Sequence, residues 1–238
     1  MSKDSEHFYI LKWDVQFDPP LEGDDTPDAF NPPFKLIDNQ IIRPNCEVDL
    51  FDWKNLKFWL NHLTEIAPAN YTTCKGEVIG NIVKNIDSNE FSNKFVKVVI
   101  TPKKVSFIPC NVSFSVKKLD DDFPSNLNWI HLLKWDIDID DKNVDEEYLK
   151  PCIIQKGKLM VNCIYEIIDW DDGLKYYFEE KLFPYCKENK IKIKGEVLGH
   201  LYYEEFPYQF PDGQIKISIT TNKLQILPCQ IKVNGKKK

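Results

Sequence analysis

The sequence has no apolar run approaching the 18 or more residues that a membrane-spanning helix requires. Its first residues, "MSKDSEHFYILKW", lack the basic-then-apolar layout of a secretory signal, because the short apolar run ends at Lys12. Cys-x-x-Cys pairs are also absent among the seven cysteines. With no signal, an odd cysteine count favours free thiols over a disulfide framework. We therefore expect a cytoplasmic protein with no membrane span.

Phosphate-binding and nucleophile motifs are missing as well. The chain has no Gly-x-Gly-x-x-Gly, no Gly-Lys-Ser/Thr run and no Gly-x-Ser-x-Gly. Its four histidines form no ligand-spaced cluster with cysteine. The sequence therefore predicts no cofactor, no metal and no catalytic residue, and it favours a protein that is not an enzyme.

The charge is negative overall and unevenly placed. A net charge of −6 argues against a nucleic-acid partner, which requires phosphate neutralisation. Residues 1–50 carry 11 acidic and 4 basic side chains, whereas residues 213–238 carry six lysines and no acid. We interpret the lysines at 236–238 as a frayed, solvated tail.

Four stretches occur twice, in the same order and at offsets of 117 to 122 residues. The paired stretches are 75–80 with 194–199, 10–15 with 132–137, 45–53 with 162–170, and 96–112 with 215–231. Such self-similarity predicts a tandem duplication of a unit of about 110 residues, near the usual domain size. We expect one domain at 1–118 and a second at 127–238.

Each predicted unit combines alternating strands with one helix. Apolar and polar residues alternate in "FYILKWDVQF" (8–17), as in a strand. Asp52 and Asp169 suit a helix N-cap, and Pro68 is expected to end the first helix. The predicted fold class is α+β, approximately ββαβββ per unit, with a mainly antiparallel sheet packed on one helix.

The first repeated stretch reads "KGEVIG" and then "KGEVLG". By alternation, one strand face carries only Gly, Val and Gly and therefore has little side-chain bulk. Glycine weakens a strand, so we expect a bulky neighbour over this face. The expected neighbours are aromatic: Trp13 or Trp59 in the first copy, and Trp135 or Tyr177 in the second. Close approach of a ligand to the backbone is the alternative.

Carboxylates and aromatic residues supply the candidate interaction surface. The segment 17–34 is acidic and proline-rich, and a long loop of this kind is either functional or disordered. We predict a non-enzymatic protein that binds another protein of basic charge, as immunity and adaptor proteins do. The candidate binding residues are Asp14, Asp24, Asp25, Asp28, Glu77, Asp136, Asp138, Asp140 and Glu196.

Two other functions stay open at this point. A carboxylate-dependent hydrolase predicts a cleft that holds Asp14 or Glu77 with a second carboxylate. A glycan-binding module predicts tyrosine or tryptophan rings that face solvent beside Asp and Asn. A Ca²⁺ or Mg²⁺ site at "DIDIDD" (136–141) is less favoured, because such sites also use loop carbonyls and a glycine turn.

Overall fold

The computed structural model describes residues 6–20, 34–37, 41–44, 50–84, 94–120, 129–140, 152–155, 157–161, 167–202 and 213–238. The chain packs as two compact units. Unit 1 comprises Met1–Phe114 with Val233–Lys238, and unit 2 comprises Ser115–Lys232. The domain limits expected at 118 and 127 stay a prediction.

Unit 1 is built on an antiparallel sheet in the order β2-β3-β1-β5-β6-β7, with β4 paired to β1. The last four residues of β7 fall in unit 2. The strands are β1 (His7–Asp18), β2 (Phe34–Ile37), β3 (Ile41–Pro44), β4 (Phe51–Asp52), β5 (Thr73–Val83), β6 (Phe95–Thr101) and β7 (Lys104–Lys118).

Helix α1 (Trp53–Ala69) packs on one face of this sheet. It begins as expected, because the Asp52 carboxylate accepts the N–H of Asn55 at 2.8 Å. Its buried stripe is Trp53, Leu56, Leu60, Leu63 and Ala67. Pro68 lies inside the helix, so the predicted stop is wrong.

Strand β1 contains a bulge between Ile10 and Lys12 where it pairs with β5. An unbroken strand sends residues an odd number apart to opposite faces. The bulge inserts one extra residue, and Ile10 and Val15 therefore join the same buried cluster. Simple alternation along 8–17 places Ile10 on the wrong face.

Unit 2 holds a second antiparallel sheet in the order β9-β10-β8-β12-β13-β14, with β11 paired to β8. The last five residues of β14 fall in unit 1. The strands are β8 (Trp129–Ile139), β9 (Cys152–Gln155), β10 (Lys158–Val161), β11 (Ile167–Asp169), β12 (Ile193–Tyr202), β13 (Gly213–Thr220) and β14 (Lys223–Lys237).

The helical segment of unit 2 is wound differently from α1. Residues Trp170–Lys175 and Tyr177–Leu182 are π-helical, and only Phe183–Glu188 form an α-helix, α2. The Asp169 carboxylate accepts the N–H of Gly173 at 3.2 Å, four residues on rather than three. The π-helical conformation therefore begins at the first turn of this segment.

The predicted fold class is wrong. Of the described residues, 64% lie in strands and 22% in helices, so the chain is mostly antiparallel sheet rather than α+β. The units are also not duplicates of one sheet-on-helix module, because one carries a 17-residue α-helix and the other a largely π-helical segment. Strands of up to 15 residues and the additional hairpin β2–β3 account for the excess of sheet.

The neighbouring strand occupies the space at the repeated glycines, with its backbone at Gly76 and Gly195 and with side chains at Gly80 and Gly199. A Cβ on Gly76 would lie 2.0 Å from the carbonyl oxygen of Asp14, and one on Gly195 would lie 2.2 Å from that of Asp136. At Gly80 the obstacle is the Phe8 ring, at 2.3 Å. The expectation of Trp13, Trp59, Trp135 or Tyr177 over the glycines is wrong, since the neighbouring strand itself occupies the space.

Candidate functional site

Glu77 and Glu196 each lie between two lysines on neighbouring strands. In unit 1, Glu77 on β5 forms ion pairs with Lys12 on β1 and Lys97 on β6. In unit 2, Glu196 on β12 forms ion pairs with Lys134 on β8 and Lys216 on β13, both at 2.6 Å. These side chains alternate with buried Val78 and Val197, so they lie on the sheet face away from the core cluster.

The lysines control the charge of these carboxylates. Burial raises the pKa of the Glu77 carboxyl, but hydrogen bonds and charge from Lys12 and Lys97 outweigh it and leave the pKa below its usual range. Hydrogen bonds from Lys134 and Lys216 likewise lower the pKa of Glu196. Both carboxylates are therefore ionised and neutralised, which suits a structural clamp better than a proton donor.

The other predicted carboxylates differ in how far they are neutralised. Asp14 accepts a hydrogen bond from Gln16 at 3.3 Å and forms no ion pair with any described residue. Asp136 is paired with Lys158 at 2.8 Å, whose hydrogen bond lowers its pKa. Asp138 and Asp140 are exposed, and Lys158 lies 3.8 Å from Asp138. Asp14, Asp138 and Asp140 are thus more available to a partner than the rest.

The predicted residues Asp24, Asp25 and Asp28 lie outside the described part of the chain. The start of their segment is nevertheless described. The hydroxyl of Thr72 donates to the carbonyl of Pro19, and that of Thr73 donates to the carbonyl of Asp18 at 2.8 Å. These bonds fix the point where the acidic segment 17–34 leaves β1.

Tyr71 stands beside this point and is 94% exposed. It follows helix α1 with a φ of 55°, the left-handed conformation that favours glycine. The N–H of Tyr71 donates to Pro68 and that of Thr72 donates to Ala67, both at 3.1 Å, which is a Schellman motif. A large ring therefore occupies a position where glycine is usual, and it faces solvent next to an acidic segment.

A second exposed ring lies on the outer face of α1. Phe58 is 66% exposed and stacks on His62 with ring centroids 5.9 Å apart. Trp59 contacts Phe58 at 5.9 Å and the buried Phe34 at 6.5 Å. The outer rings are thus supported from the core, as rigid contact residues are in protein interfaces.

Metal and thiol chemistry find little support in the described residues. No group of three His, Cys, Asp or Glu side chains among them is placed to hold a metal ion. Cys74, Cys110 and Cys229 are free and buried, as expected of core thiols, and Cys186 is buried as well. Burial raises the pKa of Cys74 to about 12, which removes it as a thiolate nucleophile.

Sequence reasoning missed both Tyr71 and Phe58. The buried stripe of α1 includes Leu56, Leu60 and Leu63. Phe58 lies outside this stripe, so helical spacing predicts that it faces outward. Asn70 is a usual residue at a helix end, but Pro68 and the lack of a following glycine conceal the left-handed position at 71. A helical projection that starts at Asp52 places Phe58 on the outer face, and this pattern could have identified it from the sequence.

Within the described part of the chain, every helix is too short or too polar to span a bilayer. No protein-family model matches the chain, and it has no significant similarity to a curated protein or to a solved structure.

Proposed function

We propose that this chain is a non-enzymatic binding protein whose partner is another protein with a basic surface. The observation that carries the proposal is Tyr71, almost fully exposed where the acidic segment 17–34 leaves the sheet. That segment contains five carboxylates and no basic residue. Tyrosine is enriched among the residues that dominate binding energy, and surrounding acids attract a basic partner.

The backbone at Tyr71 supports a role beyond folding. Left-handed backbone costs a non-glycine residue about 1–2 kcal/mol, and nothing in the fold requires a ring there, because the side chain is exposed. A residue that lowers stability and contacts solvent is a good candidate for function. We propose Tyr71 as a contact residue. Asp24, Asp25 and Asp28 are proposed for the same partner from the sequence alone, and Asp14, Asp138 and Asp140 are further available acids.

The hydrolase alternative loses its strongest residue in this arrangement. Asp14 and Glu77 are register partners across β1 and β5, as a carboxylate pair requires. Lys12 and Lys97, however, neutralise Glu77 and lower its pKa, whereas a general acid retains its proton near neutral pH. Glu77, with its ion pairs to Lys12 and Lys97, is better suited to holding β1, β5 and β6 together.

The test compares the immobilised full-length chain with two variants, Tyr71→Gly and the triple variant Asp24→Asn, Asp25→Asn, Asp28→Asn. Each is exposed to native lysate at low salt and at about 0.3 M salt, where surface charges are screened. Bound proteins are quantified by mass spectrometry. We expect one defined protein to be retained by the parent chain, lost with both variants and released by salt.

Tyr176→Ala is the matched control, because Tyr176 is also exposed, at 49%, but lies in unit 2. It should retain the partner. A bound set that is the same for the parent chain and both variants overturns the proposal. Loss with Tyr71→Gly but not with the triple variant or with salt indicates glycan binding instead, since the ring stacks on sugars without charge.

We also propose that the protein works in the cytoplasm. Reduced thiols are typical of that compartment, and Cys74, Cys110 and Cys229 are free. Mass measurement after alkylation under native and denaturing conditions checks this. Alkylation of all seven cysteines in the unfolded chain without reductant agrees with it, whereas full alkylation that requires reductant opposes it.

A further inference from the structure

Unit 2 contains a cleft of about 590 Å³, lined by the helical segment and by the turn between β13 and β14. This volume falls within the roughly 300–1,000 Å³ of small-molecule sites. The lining residues are Glu179, Phe183, Pro184, Lys187, Asn222, Lys223 and Leu224. The cleft is separate from the Tyr71 surface, which lies in unit 1.

Phe183, Pro184 and Leu224 form the apolar part of the cleft lining, here called its floor. Phe183 is buried, and its ring lies 5.6 Å from that of Phe178, which in turn contacts Trp135 at 6.1 Å. Pro184 and Leu224 extend the apolar surface on the helix side and the strand side. A floor that is anchored in the core needs little reordering to receive an apolar ligand.

The rim carries unpaired positive charge. Lys187 and Lys223 are exposed, and neither forms an ion pair with a described carboxylate. Asn222 adds an amide donor, and Glu179 is the single carboxylate of the lining. Two ammonium groups against one carboxylate leave an excess of one positive charge, which complements an anionic group.

The position of the cleft is held by the backbone on both sides. The hydroxyl of Thr221 bonds the N–H and the carbonyl of Ile193, at 3.3 and 3.4 Å, which fixes the β13–β14 turn. On the other side the π-helical turns Tyr177–Leu182 end directly at Phe183. π-Helical turns are rare and frequently lie at functional sites.

We infer that this cleft binds a small amphipathic anion, with an apolar body on Phe183, Pro184 and Leu224 and a carboxylate between Lys187 and Lys223. The inference does not depend on the proposed protein partner. Nothing else in the lining offers a counter-charge for a cationic ligand except Glu179, which the two lysines outnumber.

Octanoate and octylamine test this inference, because they share one apolar chain and carry opposite charges. Each is titrated into the full chain at constant ionic strength, and amide shifts are followed by two-dimensional NMR. We expect octanoate to give saturable shifts at Phe183–Lys187 and Asn222–Leu224, and octylamine to bind at least several-fold more weakly. Lys187→Gln and Lys223→Gln should each weaken octanoate by about two- to fivefold.

Lys192→Gln is the matched control, since Lys192 is exposed in the same unit but does not line the cleft. It should leave octanoate binding unchanged. Leu224→Ser should weaken octanoate and octylamine equally, because it removes only apolar contact. Equal binding of both probes, shifts at another surface, or no saturation at millimolar octanoate each overturns the inference.

Discussion

Glu77 lies directly opposite Asp14 in the β1–β5 register, so two carboxylates face each other across neighbouring strands. Like charges in this position destabilise a sheet. Lys12 and Lys97 reverse the effect at Glu77, because each forms an ion pair with it. The lysines on either side therefore keep an acidic pair within a stable sheet.

Replacing Glu77 with Gln should lower the free energy of unfolding by about 1 kcal/mol, because two partly buried lysines lose their carboxylate. The matched change Asp14→Asn should alter it by less than about 0.5 kcal/mol, since Asp14 forms no ion pair with a described residue. Urea denaturation at pH 7 measures both. Equal losses for the two variants would contradict the assignment of Glu77 as the paired member.

The contribution of Glu77 also has a defined pH dependence. Its folded pKa is lowered, so the stabilisation is present above the unfolded value near 4.5 and is lost as the pH falls below it. The difference in stability between the parent chain and Glu77→Gln should therefore shrink below about pH 4.5.

Replacing Gly76 with Ala should destabilise unit 1 by about 3 kcal/mol or more, because the new Cβ would lie 2.0 Å from the Asp14 carbonyl oxygen and force β1 and β5 apart. Gly213→Ala is the control, since its Cβ meets only Leu201, at 3.9 Å. Soluble yield and urea midpoints distinguish the two. A Gly76→Ala chain as stable as Gly213→Ala would show that β1 and β5 are further apart than described.

Replacing Tyr71 with Gly should raise the free energy of unfolding by about 0.5–1 kcal/mol. Relief of the left-handed backbone gains more than glycine loses in chain entropy. Lys190, with a φ of 58°, ends α2 in the same way, and Lys190→Gly should give a similar gain. Thermal unfolding checks both variants. A loss of stability in Tyr71→Gly would mean that the tyrosine ring is held by contacts within the protein.

Stability should fall by about 2 kcal/mol between pH 7 and pH 5 because of one buried histidine. Burial, with His200 nearby, lowers the pKa of His131 to about 3. A histidine in the unfolded chain has a pKa near 6.5. Below that pH the unfolded chain binds a proton that the folded chain does not bind, so the free energy of unfolding falls by about 1.4 kcal/mol per pH unit. This loss is complete only below about pH 3.

His131→Leu should remove most of this slope, whereas His62→Gln, at a half-buried position on α1, should retain it. Urea midpoints measured from pH 8 to pH 5 compare the three chains. The paired carboxylates do not interfere, since their contributions change only at lower pH. A slope that persists in His131→Leu would assign the effect to another group.

The helix cap at Asp52 was predicted correctly, because it depends on a side chain that acts within a few residues. The fold class did not follow, because it depends on how far each strand extends. Lys104–Lys118 and Lys223–Lys237 run through prolines at 109 and 228 that normally interrupt a strand.

The candidate site was likewise predictable from the sequence only in part. Alternation gives the face of Glu77 within its own strand, but the neutralisation of Glu77 depends on Lys97 from a neighbouring strand, 20 residues further along the chain. The exposure of Tyr71 depends on the left-handed turn after α1, which no glycine announces. Pairing across strands and exposure are tertiary properties, and one sequence does not encode them locally.

The first ten residues of strand β14 belong to unit 2 and Val233–Lys237 belong to unit 1. Of the lysines expected to form a frayed tail, Lys236 and Lys237 lie within the strand. There a Cβ added to Gly235 would lie 3.3 Å from the Cys110 sulfur and 3.3 Å from Ile79, so the glycine leaves room for both side chains. During synthesis a chain emerges from its N-terminus and domains usually fold in that order. Unit 1 therefore receives its last residues, Val233–Lys238, only after the residues of unit 2 have been synthesised.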